Sequence, residues 1–271
     1  MIEPQGEVLQ FRANGLNHRV LAYGTSGPAA VLVPGITSPA LTAEFLALEL
    51  ADERQVFVPD LRGRGGTDRA APGEYSLDHY VGDLIGLVEH FGLERPVVIG
   101  HSLGARIAAG YSVASGGHHD LLVLVDPPLS GPGRDPYPTP RESFERQLDE
   151  AYRGTTADEV RAFYPKWPTR ELEIRAQVLA TCDRAAVLET HERFHTEDFF
   201  ELWATVHQPA LLIRGGDSPV VTERGAEELR AARPDIPIES IPDAGHMVPW
   251  DNWPHFRDVL RSHLASDRRH R

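Results

Sequence analysis

One stretch of the sequence decides the fold: residues 96–111 read PVVIGHSLGARIAAGY. Residues 96–99 form a short apolar run, typical of a strand that is buried on both faces of a parallel sheet. Residues 105–111 are compatible with a helix, so GHSLG between them predicts a sharp strand-to-helix turn with small residues on either side of Ser102. Such a turn would hold Ser102 at the carboxyl edge of the sheet, where the start of the helix points free N–H groups at the same place.

Short apolar runs alternate with helical patterns over most of the chain. The apolar runs are residues 30–33, 56–59, 96–99, 121–125 and 210–214, and helical stretches such as 41–50 and 77–91 lie between them. Residues 7–14 and 18–23 predict an opening hairpin with its turn at Asn14-Gly15. The alternation predicts an α/β fold with a mostly parallel, doubly wound sheet that is covered by helices.

One region breaks this alternation. The Pro- and Gly-rich segment 127–133 cannot be a helix or an inner strand, and only helical patterns follow from about residue 139 to residue 207. The sheet pattern resumes at Pro209. The sequence therefore predicts a core formed by residues 1–128 and 208–271, with residues 129–207 inserted as a helical cap, or lid.

Composition excludes several classes of protein. The 271 residues include 27 Lys plus Arg and 40 Asp plus Glu, a net charge of −13, which argues against a nucleic-acid partner. No apolar run approaches the ~20 residues that span a bilayer, and the start lacks the layout of a signal peptide. Cys182 is the only cysteine, so neither an intramolecular disulfide nor a Cys-based zinc site can form. We expect a cytoplasmic protein with a small-molecule substrate and no membrane partner; the sequence leaves a homo-oligomer open.

A serine hydroxyl becomes a good nucleophile only when a base takes its proton. The best candidate base is His246, in the loop Asp243-Ala244-Gly245-His246-Met247. This loop follows the short strand predicted over residues 238–241, so it lies at the same carboxyl edge as Ser102. We expect His246 to act as the base.

Two acids are candidates for orienting His246. Asp126 ends the strand predicted over residues 121–125, and Asp217 lies after the strand predicted over 210–214. Both agree with the chain order of nucleophile, acid and histidine. In this fold the acid more commonly lies in the loop after the later strand, residues 210–214, but the usual position in that loop is Ser218 rather than Asp217. We therefore favour Asp126, and keep Asp217 as the alternative.

An oxyanion hole needs two fixed N–H donors near Ser102. The segment Val33-Pro34-Gly35-Ile36-Thr37 follows a predicted strand, and the backbone N–H of Ile36 can pair there with the N–H of Leu103. A second Gly-rich segment, residues 60–65 with Asp68, is interpreted as a structural turn that supports the loops of the site.

Together these motifs resemble the α/β-hydrolase superfamily with a serine nucleophile, over residues 7–264. Residues 125–134, 33–37 and 245–251 are similar to the N-formylmaleamate deformylases of bacterial nicotinate degradation. The resemblance implies an α/β-hydrolase fold, a triad of Ser102, Asp126 and His246, no cofactor and no metal. It also implies cleavage of a C–N bond in a small N-formyl amide acid, through a formyl-enzyme.

A substrate of this kind carries a carboxylate, which a cation would bind. The candidates are Arg134, Arg141, Lys166 and Arg175 in the predicted cap and His101 beside the nucleophile. The sequence does not say which of them point inward.

The sequence is also compatible with other functions. The same triad would serve a carboxylesterase, a lactonase or a C–C bond hydrolase, and a binding module could retain the fold without turnover. Residues 191–195 read HERFH, the H-E-x-x-H pattern of zinc metalloproteases, in which two histidines share one helix face. Asp198 stands where the extended pattern has a glycine, and Glu223 is a candidate third ligand.

Overall fold

The computed structural model describes residues 2–267, and within them eight strands form a single sheet. The strands are β1 (Glu7–Ala13), β2 (Leu16–Tyr23), β3 (Ala29–Val33), β4 (Gln55–Pro59), β5 (Val97–His101), β6 (Leu122–Val125), β7 (Ala210–Gly215) and β8 (Ile238–Ile241). Their spatial order is β1-β2-β4-β3-β5-β6-β7-β8. The pairs β1–β2 and β2–β4 are antiparallel and the remaining pairs are parallel, so the sheet is mostly parallel as predicted.

Helices cover both faces of this sheet. The helices of the described residues are α1 (Glu44–Ala51), α2 (Leu77–His90), α3 (Leu103–Ala114), α4 (Arg141–Arg153), α5 (Ala157–Arg161), α6 (Thr169–Val178), α7 (Arg184–Arg193), α8 (Phe199–Thr205), α9 (Glu223–Ala232), α10 (Val248–Asp251) and α11 (Trp253–Asp267). Five of them, α4 to α8, come between β6 and β7. Among residues 2–267, no helix is both long and apolar enough to cross a membrane.

The inner strands are apolar on both faces because each face packs on helices. In β6, Leu122 and Leu124 belong to the same apolar cluster as residues of α2 and α3. The alternate residues Val123 and Val125 belong to the opposite cluster, with residues of α1 and α11. This two-residue alternation explains why the predicted strands are continuous apolar runs and confirms the doubly wound arrangement.

The predicted element bounds differ from the structure mainly at their ends. The stretch predicted as one helix over residues 41–50 begins instead as a short 3₁₀ turn, Ala40–Ala43, before α1 starts at Glu44. The backbone N–H of Ala40 donates to Asp60 Oδ1 at 2.7 Å, which fixes the start of this turn from outside the segment. A tertiary contact of this kind leaves no local pattern in the sequence.

Candidate active site

Ser102 lies at the turn between β5 and α3, in a backbone conformation that is rare for a residue with a side chain. Its φ is 56° and its ψ is −118°. A Cβ atom on Gly100 would lie 2.1 Å from the carbonyl oxygen of Gly104, and a Cβ on Gly104 would lie 1.9 Å from that of Val33. Neither position has room for a side chain, so the spacing of the two glycines around Ser102 follows from the tightness of the turn.

The structure brings Ser102, His246 and Asp126 into one hydrogen-bonded chain. Ser102 Oγ donates to His246 Nε2 at 3.0 Å, and His246 Nδ1 donates to Asp126 Oδ2 at 2.7 Å. Ser102 and Asp126 are buried, and the His246 side chain is 19% exposed. Because a carboxylate only accepts hydrogen bonds, it fixes the imidazole tautomer with the proton on Nδ1 and a free lone pair towards Ser102.

Asp126, and not Asp217, is the acid that contacts His246. Burial raises the pKa of the Asp126 carboxyl, and the hydrogen bonds from His246 and Ser218 oppose that shift. Ser218 Oγ donates to Asp126 Oδ2 at 2.5 Å, so the residue at the more common acid position instead supports the acid that is present. Asp217 is exposed, and its backbone N–H donates to Ala244.

The loop after β3 passes directly against Ser102. A Cβ on Gly35 would lie 3.4 Å from the Cβ of Ser102, which leaves the following residue, Ile36, on the wall of the same cavity. On the other side of Ser102, Leu103 is the first residue of α3, where backbone N–H groups have no partner within the helix. The two predicted donors therefore lie on either side of Ser102.

Two buried arginines hold the loop that carries Ile36. Arg64 Nε donates to the carbonyl of Ile36 at 3.0 Å. Arg175, on α6, donates to both the carbonyl and the hydroxyl of Thr37, the latter at 2.9 Å. Arg64 comes from the 60–65 turn, and it also donates to the hydroxyl of Tyr80 at 2.6 Å. These contacts agree with the structural role predicted for that turn.

A cavity of about 80 Å³ lies over Ser102, which limits the site to a small ligand. Its walls combine backbone, hydroxyl and aromatic groups with one buried guanidinium. The lining residues are Gly35, Ile36, Thr37, Ser38, His101, Ser102, Tyr137, Thr139, Phe144, Gln147, Tyr164, Arg175, His246 and Met247. The segment between β6 and β7 therefore contributes several of the walls.

Three of the five candidate cations do not line this cavity. Arg134 forms an ion pair with Glu228, and Arg141 forms ion pairs with Glu145 and Glu192. Lys166 is exposed, and its Nζ donates to a backbone carbonyl of the His246 loop at 2.7 Å.

The other two candidates, His101 and Arg175, do line it. His101 is uncharged near neutral pH, because burial lowers its pKa to about 3. Its Nε2 donates to the carbonyl of His246 at 2.8 Å, so it holds the His246 loop. Arg175 is 4% exposed, and its hydrogen-bond partners within residues 2–267 are the two neutral oxygens of Thr37. It is the candidate with a cationic group left to bind a ligand.

Tyr137 is one of the cavity residues that no sequence motif indicates. Its hydroxyl lies 3.4 Å from His246 Nε2, and its side chain lines the cavity over Ser102. Tyr137 comes from the irregular segment that follows β6, where no periodicity or motif marks it. The one indication in the sequence is that this segment follows β6, whose carboxyl end lies at the same edge of the sheet as Ser102.

The H-E-x-x-H residues do not form a metal centre. His191 is buried, its Nε2 donates to the carbonyl of Thr139 at 3.0 Å, and its ring packs edge-on against Tyr137. Glu192 pairs with Arg141, and Glu223 pairs with Arg214. In the described part of the chain, no three His, Cys, Asp or Glu residues are placed to hold a metal ion.

Comparisons with known proteins agree with this geometry. The model of the α/β hydrolase family matches residues 30–258. The N-formylmaleamate deformylase of Pseudomonas putida (strain KT2440) is 38% identical over 240 residues, which are 89% of this chain and 90% of that protein. The 2-(acetamidomethylene)succinate hydrolase of Mesorhizobium japonicum is 28% identical over 236 residues, 82% of this chain and 83% of that protein.

A crystal structure of the N-formylmaleamic acid deformylase from Pseudomonas putida S16 superposes with a TM-score of 0.87. It is 36% identical, and the match covers 94% of this chain and all of that one. The sheet order, the turn at Ser102 and these matches confirm the fold that the sequence motifs predict: the chain belongs to the α/β-hydrolase family.

Proposed function

We propose that this chain is a serine hydrolase that converts N-formylmaleamate to maleamate and formate, with Ser102, His246 and Asp126 as its catalytic triad. The observation that carries the proposal is the hydrogen-bonded chain from Ser102 to Asp126. That chain consists of the Ser102–His246 and His246–Asp126 hydrogen bonds. The choice of substrate is supported by the 38% identity with an N-formylmaleamate deformylase over most of the sequence. A triad is identified by its geometry and its roles, and the geometry of these three side chains supports the proposal.

In the first half of the reaction, Ser102 Oγ attacks the formyl carbon while His246 Nε2 takes the hydroxyl proton. Negative charge then develops on the formyl oxygen, where the N–H groups of Ile36 and Leu103 stabilise it. Asp126 stabilises the imidazolium that has formed. The formyl C–N bond breaks, its electron pair goes to nitrogen, and His246 returns the proton to that nitrogen.

In the second half, water hydrolyses the formyl ester on Ser102. His246 removes a proton from the water as it attacks, and then returns a proton to Ser102 Oγ. Formate leaves and the free hydroxyl is restored. Every proton passes through His246, so both halves depend on the same imidazole.

A serine at the turn also separates this chain from relatives with other chemistry. Epoxide hydrolases and dehalogenases of this fold need a carboxylate nucleophile, and Ser102 cannot supply one. An ester, a lactone or an activated carbon–carbon bond would still suit the triad. Specificity among these substrates therefore depends on the side chains that line the cavity.

Arg175 supports a substrate with a carboxylate. A buried guanidinium without an anionic partner is costly, and a carboxylate that enters the cavity would supply that partner. Guanidinium and carboxylate groups match in a planar, two-point geometry. N-formylmaleamate has one carboxylate, which would supply that anionic partner.

We also propose that residues 129–207 form a cap over a core made of residues 1–128 and 208–271. Tyr137 and Arg175, both from the inserted segment, line the cavity over Ser102 and support this division. We propose that the substrate of this chain is a small molecule. The cytoplasmic location and the oligomeric state stay predictions.

The function is tested by measuring formate released from N-formylmaleamate and from its uncharged carboxamide analogue. Arg175→Gln should raise KM for the charged substrate by about 10- to 100-fold, since a hydrogen bond to a charged group contributes about 1.5–3 kcal/mol. The analogue should be affected much less.

Arg134→Gln is the matched control, because Arg134 is a cation of the same segment whose charge is paired away from the cavity. It should leave both substrates unchanged. Absence of formate release by the wild type, together with rapid hydrolysis of neutral esters, would overturn the proposed substrate while leaving the triad in place.

A further inference from the structure

The hydroxyl of Tyr137 lies at the junction of the nucleophile and the base. It is 3.4 Å from His246 Nε2, the same atom to which Ser102 Oγ donates at 3.0 Å. Among the tyrosine hydroxyls in the described part of the chain, it is the one with a hydrogen bond to that nitrogen. The reaction steps derived above give it no role.

The surroundings of Tyr137 hold its ring in place and keep its hydroxyl protonated. The ring lies 5.1 Å from that of Phe194 and 6.4 Å from that of Phe144, centroid to centroid. Tyr137 is 6% exposed, and burial raises its pKa well above the usual value of a phenol. The hydroxyl is therefore a fixed, neutral hydrogen-bond donor at any pH at which the enzyme would work.

The position of the leaving group follows from the proton that it must receive. The scissile nitrogen takes its proton from His246 Nε2, so it has to approach that atom closely. The Tyr137 hydroxyl lies beside the same atom. In N-formylmaleamate, this nitrogen also carries the second acyl group, whose carbonyl oxygen lies roughly 2.2 Å from it, given standard C–N and C=O lengths. That oxygen falls within reach of a donor placed where Tyr137 is.

We infer that the Tyr137 hydroxyl is a catalytic donor to the carbonyl oxygen of the departing amide, and that it makes the site selective for acylated nitrogen leaving groups. The inference rests on the proposed function and deepens it. As the formyl C–N bond breaks, the electron pair moves to nitrogen and spreads onto the adjacent carbonyl oxygen. Tyr137 stabilises that charge and keeps its own proton, while His246 protonates the nitrogen.

This role differs from a structural one in its dependence on the leaving group. If Tyr137 only positioned Ser102 or His246, its hydroxyl would matter equally for every substrate that forms the same formyl-enzyme. If it binds the leaving group, it matters only when a carbonyl is attached to the departing atom. Two formyl donors with different leaving groups therefore separate the two roles.

The test compares Tyr137→Phe with wild type on N-formylmaleamate and on 4-nitrophenyl formate. We expect kcat/KM for N-formylmaleamate to fall about 10- to 100-fold, as for other donors to a developing charge, and kcat/KM for the ester to change less than about threefold. Tyr152→Phe is the matched control. Its hydroxyl donates to the carbonyl of Cys182 at 2.6 Å, outside the cavity, so both substrates should be unaffected.

Each other outcome overturns the inference. An equal fall in kcat/KM with both substrates would show that the hydroxyl positions the triad. No fall in kcat/KM with either substrate would show that the hydroxyl does not contribute to catalysis. Wild-type enzyme that hydrolyses 4-nitrophenyl formate but releases no formate from N-formylmaleamate would overturn the proposed function and the inference together. Wild-type turnover of both, with Tyr137→Phe unchanged, would overturn the inference alone.

Discussion

Replacing Asp126 by asparagine should remove most of the activity without unfolding the protein. Asp126 Oδ2 accepts from His246 Nδ1 at 2.7 Å in a fully buried site, where asparagine would present either a neutral oxygen or an amide that forces the wrong tautomer. By the behaviour of other serine triads, we expect kcat to fall on the order of 10³- to 10⁴-fold. At about 1.36 kcal/mol per tenfold, this loss is roughly 4–5.5 kcal/mol of transition-state stabilisation.

Formate release measures this loss, and Asp217→Asn is the matched control. Asp217 is the neighbouring acid, exposed and not in contact with His246, so this variant should keep nearly full activity. Circular dichroism and thermal melting would show that both variants are folded. Loss of activity in folded Asp217→Asn, with Asp126→Asn retaining it, would refute the assignment.

An exchange variant sharpens the same test. Ser218 Oγ lies 2.5 Å from Asp126 Oδ2, and an aspartate side chain at residue 218 extends one atom further than the serine hydroxyl. Asp126→Ser combined with Ser218→Asp should therefore return a carboxylate close to His246. We expect at least about tenfold more activity than in Asp126→Ser alone, corresponding to a recovery of about 1.4 kcal/mol. Equal activity in the two variants would contradict the geometric argument.

Three further results are expected. Burial lowers the pKa of His101 to about 3, so the folded state disfavours the charged imidazole, and His101 should lower the stability of the fold as pH falls below 6.5. In urea titrations, the unfolding free energy of the wild type should fall by about 2 kcal/mol more between pH 7 and pH 5 than that of His101→Gln. Gly104→Ala should lower the unfolding free energy by more than about 2 kcal/mol, since its Cβ would lie 1.9 Å from the Val33 carbonyl; an unchanged melting midpoint would contradict this. Prolonged EDTA treatment should leave formate release unchanged, whereas loss that zinc restores would revive a metal role for His191.

The sequence predicts that Ser102, His246 and Asp126 share one edge of the sheet, because Ser102 and Asp126 directly follow β5 and β6 and His246 lies in the loop after β8. Parallel strands bring their carboxyl ends to one edge of a sheet, so residues more than a hundred positions apart meet there without any local signal between them. The preference for Asp126 over Asp217 came from the position of the acid within the loop after β7, where the usual place is residue 218. In the structure, Ser218 occupies the more common position for the acid and donates to Asp126.

The inserted segment was harder to predict in detail. Its helical patterns were visible, but the direction of each side chain depends on how the helices pack over the sheet. Arg134, Arg141 and Arg175 look alike in the sequence, yet only Arg175 points into the cavity over Ser102. Tyr137 lies in an irregular stretch without periodicity, so only the path of the chain after β6 brings it to the site.

The central claim is that Ser102, activated by His246, forms a formyl-enzyme from a small N-formyl amide acid. Formate release from N-formylmaleamate by wild type and by Ser102→Ala tests it most directly. The account predicts steady release by the wild type and a loss of at least about 10³-fold in the folded Ser102→Ala variant. Undiminished release by that variant would contradict it.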